Sequence, residues 1–109
     1  MIAKSQRLNR VDFSNYFKTG KRFHSPTITI VYTPHNTFHA SVVVGKKVAT
    51  AAVRRNKIRR RIYELLRQQH TAGVIGIFIV IVKPPFNTLT KQQAHQAILE
   101  LVAKLPKAT

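Results

Sequence analysis

The side chains that could serve acid–base or two-metal chemistry are few: Asp12, Glu64 and Glu100, and the histidines His24, His35, His39, His70 and His95. A two-metal phosphodiesterase needs several carboxylates converging on a pair of cations. Asp12 is accounted for by the first turn of a helix, and Glu64 and Glu100 fall on separate helices. No HExxH or other ligand spacing links the histidines, and the chain has no cysteine, hence no disulfide, thiolate site or Cys nucleophile. A His–His pair acting on RNA is the one hydrolytic arrangement the composition allows, and scattered surface histidines are the plainer reading. The expectation is no catalytic residue and no metal held by the protein.

The dominant chemistry is cationic. Lys and Arg number 19 against 3 acids, a net charge of +16. The density peaks in Val44–Arg67, which carries Lys46, Lys47, Arg54, Arg55, Lys57, Arg59, Arg60, Arg61 and Arg67 with Glu64 as its only acid. One carboxylate cannot neutralise such a run, so a polyanion must lie against it. Guanidinium forks suit phosphate, and affinity should fall steeply with salt. Membrane binding fits less well. The longest apolar run, Val74–Val82, is too short to span a bilayer, the basic helix lacks an aromatic face, and the N-terminus shows no apolar signal segment. The cytoplasm is the expected compartment, with no membrane and no small-molecule substrate as partner. Asn56, a poor helix former inside the basic run, could read a base edge or sugar hydroxyl, or cap the helix start. Phe13 and Phe17, four apart, are either plain core or a stacking surface for single-stranded nucleotides.

These residues need elements to position them. Residues 1–8 read as a flexible basic arm. Asn9 is an N-cap, Asp12 suits the helix dipole at the third position, and Gly20 ends the short helix as a C′ residue. Residues 26–33 and 38–45 alternate as half-buried strands around Pro34-His35-Asn36-Thr37, which predicts a β-hairpin. A helix from Thr50 or Ala51 to Gln69 or His70 puts Ala51, Ile58, Ile62, Leu65 and Leu66 on one side and Asn56, Arg59, Arg60, Tyr63 and Arg67 on the other. Arg54, Arg55 and Arg61 flank the apolar stripe with their heads outward. Val74–Val82 reads as a strand covered on both faces, with Gly76 marking a close backbone approach. Thr90 and Gln93 form a capping box for a last helix with the stripe Ala94, Ala97, Ile98, Leu101 and Leu105. The 109 residues make one α+β domain, an α-β-β-α-β-α sandwich.

Three stretches, RLNRVDFSNYFKTG (7–20), VGKKV (44–48) and AVRRNKIRRRIYE (52–64), together resemble the bacterial ribonuclease P protein component. The most specific part is the lysine pair followed, after an alanine-rich lead, by Arg55-Asn56-Lys57 and then Arg59 and Arg60. Lys57 stands at the third position of the family's Arg-Asn-Arg, keeping the charge without the planar fork, and Tyr63 stands where the family often has another Arg. The resemblance implies a fold like the second domain of ribosomal protein S5, with a left-handed β-α-β crossover through the basic helix. It implies the protein subunit of a ribonucleoprotein whose catalytic RNA subunit, with magnesium at its active site, removes the 5′ leader from precursor tRNA. It places Phe13, Phe17 and Lys18 in a leader-binding cleft between the first helix and the sheet. It places Lys46, Lys47, Arg54, Arg55, Asn56, Lys57, Arg59, Arg60 and Arg67 on the RNA-contacting surface. The alternative is a small basic ribosomal or ribosome-associated RNA-binding protein of similar fold, which would have no need of an aromatic cleft.

Overall fold

The structure is a computed structural model and describes residues 6–105. The first helix, α1 (Arg10–Thr19), is started as expected by Asn9, whose Oδ1 accepts from the Asp12 backbone N–H at 2.8 Å. Its end differs from expectation. Gly20 is extended (φ −68°, ψ 154°) and is not a left-handed cap. Glycine is needed there for space: a Cβ would lie 2.6 Å from Val31 Cγ1 and 2.8 Å from the Tyr16 carbonyl oxygen.

Four strands follow the order β1-β2-β4-β3, with β1 at Lys21–His24, β2 at Ile28–Thr33, β3 at Phe38–Val43 and β4 at Gly76–Val82. Two points correct the sequence reading. The strand β1 was not expected. Its KRFH sequence leaves only Phe23 partly covered, and its cations suit an edge that must not recruit another chain. The expected hairpin between the second and third strands does not form. Instead β4 lies between them, antiparallel to β2 and parallel to β3. The reason is burial. β4 is the most apolar strand, and a central place pairs both its edges while both its faces are covered. β3, buried only at alternate residues, takes the edge. The true hairpin is β1–β2, closed by Ser25, whose N–H donates to the Ile28 carbonyl at 2.9 Å and whose Oγ accepts from the Ile28 N–H at 3.1 Å.

The parallel pair β3–β4 is joined through α2 (Ala52–Thr71), giving the implied β-α-β unit. Ile58, Ile62, Leu65 and Leu66 are buried on α2 as the periodicity requires. Ala51 is not; it is the exposed N-cap residue, just before the helix. After β4 a 3-10 turn, Pro84–Thr88, buries Phe86, and α3 (Lys91–Ala103) begins on the expected capping box: Thr90 Oγ1 accepts from the Gln93 N–H at 3.1 Å, and Gln93 Oε1 accepts from the Thr90 N–H at 3.0 Å. Ala94, Ile98, Leu101 and Leu105 are buried, and Ala97 is half-buried at the stripe's margin.

The sheet has two covered faces. The alternate residues Ile28, Ile30, Tyr32, Ala40, Val42, Phe78 and Val80 share one apolar cluster with α2 and α3. The opposite face, with Val31, Ile77 and Ile79 buried, carries α1. Gly76 is the close approach the sequence suggested: at φ +122°, a Cβ would fall 2.5 Å from Tyr32 Cε1. The basic arm is docked at its inner end, where Arg7 bridges Ala40 and the Leu8 N–H donates to the Ala40 carbonyl at 3.3 Å; residues 1–5 of that arm lie outside the described residues.

Candidate nucleic-acid interface

The cations of α2 fall into two groups. Arg54 and Arg55 turn inward, Arg54 to both oxygens of Asn87 and Arg55 to backbone carbonyls. Arg54 Nε donates to Asn87 Oδ1 at 2.7 Å and its Nη2 to the Asn87 carbonyl at 3.2 Å, holding the 3-10 turn. Arg55 Nη1 donates to the carbonyls of Ala49 (3.0 Å) and Thr50 (2.7 Å), clamping the loop that leads into the helix. Their heads were expected outward. The helix start explains the difference for Arg55: Ala51 offers no capping side chain, and the guanidinium orders the approach instead.

The second group faces solvent. Asn56 Oδ1 accepts from Arg59 Nη2 one turn along, and with Ala51 as the N-cap and no side-chain cap bond, Asn56 does not cap the helix start. Asn56, Arg59, Arg60 and Tyr63 line an open depression of about 480 Å³. Arg7 from the docked arm completes it, a residue the sequence reading left among the flexible ones. Tyr63 is half-buried here. Its hydroxyl accepts from the Val42 N–H on the β3 edge at 3.2 Å, tying helix to sheet. Lys57 and Arg60 are exposed, and among the described residues neither has a hydrogen bond or ion pair. Arg67 pairs with Glu64, its Nε 3.0 Å from Glu64 Oε2. The hydrogen bond from Arg67 holds the Glu64 carboxyl below its ordinary value, and Glu64 raises Arg67. Lys46 and Lys47 lie exposed in the turn between β3 and α2, which the Val48 N–H closes on the Gly45 carbonyl at 3.1 Å.

On the other face of the sheet, Phe13 and Phe17 stack at 5.6 Å between ring centroids with 21° between planes. Both are half-buried and α1 has no buried residue, so neither is plain core. Arg22, from the unexpected strand β1, places its guanidinium 4.6 Å from the Phe17 centroid and donates from Nη2 to the Phe17 carbonyl at 3.1 Å. No local pattern in Lys21-Arg22-Phe23-His24 marks Arg22, which is placed by the pairing of β1 with β2. Lys18 is exposed in the last turn of α1. Beside α1 the sheet presents the half-buried Ser41, Val43 and Ile81, aligned across β3 and β4. The result is an aromatic, cation-edged shelf suited to unstacked bases.

The acids stay apart. Asp12 occupies the first turn of α1, Glu64 pairs with Arg67, and Glu100 accepts from Gln96 Nε2 at 3.1 Å on α3. Among the described residues no group of three or more His, Asp or Glu side chains could hold a metal ion, and no helix is long and apolar enough to cross a membrane.

Comparison with known proteins agrees with this geometry. The family model described as Ribonuclease P matches residues 2–106. A ribonuclease P protein component from Chromobacterium violaceum is 36% identical over 108 residues, covering 95% of this chain and 88% of that protein. One from Mycoplasma mobile is 30% identical over 95 residues, covering 84% of each chain. In fold, the chain is similar to the Staphylococcus aureus RNase P protein, with a TM-score of 0.85 at 23% identity over 97% of this chain and 100% of that one. The Thermotoga maritima protein gives a TM-score of 0.81, also at 23% identity, over 92% and 97% of the two chains.

Proposed function

The chain belongs to the ribonuclease P protein family, the protein component of the endoribonuclease that matures tRNA, and from this premise we propose how its surfaces serve that reaction. The protein binds the catalytic RNA subunit through the solvent-facing side of α2 and the Lys46–Lys47 turn, and it binds the single-stranded 5′ leader of precursor tRNA on the Phe13–Phe17 shelf. Bond cleavage belongs to the RNA, with magnesium at the RNA active site. The protein's part is to neutralise crowded phosphates there and to hold the leader. Its place of work is the cytoplasm.

One observation carries this reading. The aromatic shelf and the basic helix lie on opposite faces of the same four-stranded sheet. A rigid sheet between two RNA-binding surfaces fixes the leader relative to the RNA subunit, and that positioning raises substrate affinity without any reacting group on the protein. The arginines that face inward help, because Arg54 and Arg55 set the pose of the helix that presents the others.

The test is binding of precursor tRNA and of mature tRNA by the protein assembled with its RNA subunit. Added protein should tighten binding of the leader-bearing precursor and leave mature tRNA little changed. Equal tightening of both would remove the leader from the shelf.

A further inference from the structure

The α2 helix has a second basic flank, where the family-matched Lys57 and Arg60 meet three residues outside that set, Arg61, Lys91 and His95. Lys57 and Arg61, one turn apart on α2, face Lys91 and His95, one turn apart on α3, across an open groove of about 540 Å³. Arg60 also lines this groove, and it is the residue shared with the depression around Asn56 and Arg59. Leu65 is the apolar floor, and Glu64, paired with Arg67, is the one acid in the lining. Lys57, Arg60 and Lys91 are exposed and Arg61 and His95 half-buried, and among the described residues none of the five has a hydrogen bond or ion pair. The four cations Lys57, Arg60, Arg61 and Lys91, lining one groove with so little compensation, repel one another until an anion lies between them.

We propose that the α2–α3 groove is a second seat for the phosphate backbone of the ribonuclease P RNA subunit, so that the RNA wraps α2 from both flanks. This rests on the function proposed above. Charge complementarity selects a polyanion. Two features select the RNA subunit over the leader. The groove is on the sheet face away from Phe13 and Phe17, and through Arg60 it is continuous with the depression beside Asn56. An RNA strand seated beside Asn56 therefore has an uninterrupted cationic path around the helix. The groove is lined by side-chain donors without an aromatic platform, which suits phosphate contacts and not base reading.

The experiment compares the wild-type protein with Arg61→Gln/Lys91→Gln in binding to the RNA subunit over a salt series, with thermal melting as a fold check. Neither residue belongs to the family-matched surface. Each phosphate contact contributes roughly 0.7–0.9 to the slope of log K against log salt, so the double variant should lose about 1.5 from the slope and about ten-fold in affinity at moderate salt. Its preference for leader-bearing over mature tRNA should be unchanged. Lys91→Glu, at an exposed first-turn position, should give a loss of at least the same size if Arg61→Gln disturbs packing. Unchanged slope and affinity in both variants, with the wild type still binding, would overturn the groove and leave the function standing. Failure of the wild-type protein to bind the RNA subunit would overturn both. Loss of binding to polyglutamate with RNA binding intact would assign the groove to an acidic protein and overturn the proposal.

Discussion

The guanidinium of Arg22 lies 4.6 Å from the centroid of the Phe17 ring while its Nη2 donates to the carbonyl of Phe17 itself. One side chain thus covers the aromatic ring and ties the end of α1 to the strand that follows. Phe17 is held between Phe13 and Arg22, whereas among the described residues Phe13 has no cation over it.

Phe13 should therefore be the ring that receives a leader base. Phe13→Ala should weaken binding of leader-bearing precursor by about 1–3 kcal/mol, the range for one base–aromatic stack, with mature tRNA unaffected. Because α1 buries no residue, the melting temperature should change little. A large drop in melting temperature with equal losses for both tRNAs would make Phe13 a structural residue.

The two groups of α2 cations should separate in the same pair of measurements. Asn56→Ala with Arg59→Ala should weaken assembly with the RNA subunit and leave stability within about 0.5 kcal/mol, as for surface positions. Arg54→Ala removes two hydrogen bonds from a charged group to the 3-10 turn and should cost about 1–3 kcal/mol, read as a melting temperature lower by several degrees. A salt-slope change from Arg54→Ala without loss of stability would place its head at the RNA instead.

Gly76→Ala should be among the most damaging single methyl additions. The position requires φ +122°, and the new Cβ would meet the Tyr32 ring at 2.5 Å inside the core. Strain and overpacking together predict a loss of about 2–4 kcal/mol in chemical denaturation. Gly73→Ala, at φ +101° with open space around it, carries the conformational cost without the clash and should lose less.

Glu64 restrains Arg67. The hydrogen bond from Arg67 depresses the folded-state carboxyl, so the pair's contribution to stability is fully present above the ordinary carboxylate pKa and is lost as pH falls through the depressed value. The pair is exposed, so that loss should be small. The functional effect has the opposite sign: protonating Glu64, or Glu64→Gln at neutral pH, removes an acid beside the RNA surface and frees Arg67. RNA affinity should rise, with the salt slope steeper by up to about 1. Weaker binding by Glu64→Gln would show that the pair itself orients Arg67 for contact.

Much of this architecture was legible where one segment's own chemistry decides the outcome. Asn9, the Thr90–Gln93 box and the Ile58-Ile62-Leu65-Leu66 stripe need only neighbours within a turn or two, and each stands as the spacing demands. Strand pairing was not legible in this way. Alternation shows that residues 28–33 and 38–43 are strands but not that β4 separates them, which depends on where the most apolar strand can bury both faces. The strand β1 was invisible because an exposed basic edge has no apolar period. At the site, periodicity grouped Asn56, Arg59 and Arg60 on one face, but not the inward turn of Arg54 and Arg55, whose partners lie in the 3-10 turn and the lead-in loop. Arg7 and Arg22 were missed for the same reason: each is positioned by contacts that only the folded chain creates.

The most direct test of the central claim is cleavage of precursor tRNA at low magnesium by the RNA subunit alone, by the protein alone, and by the two together. The mixture should release the 5′ leader at the correct site under conditions where the RNA subunit alone is slow, and rigorously RNA-free protein should release none. Correct, metal-dependent cleavage by the protein alone, or no gain on mixing, would contradict a protein that works by binding leader and RNA together.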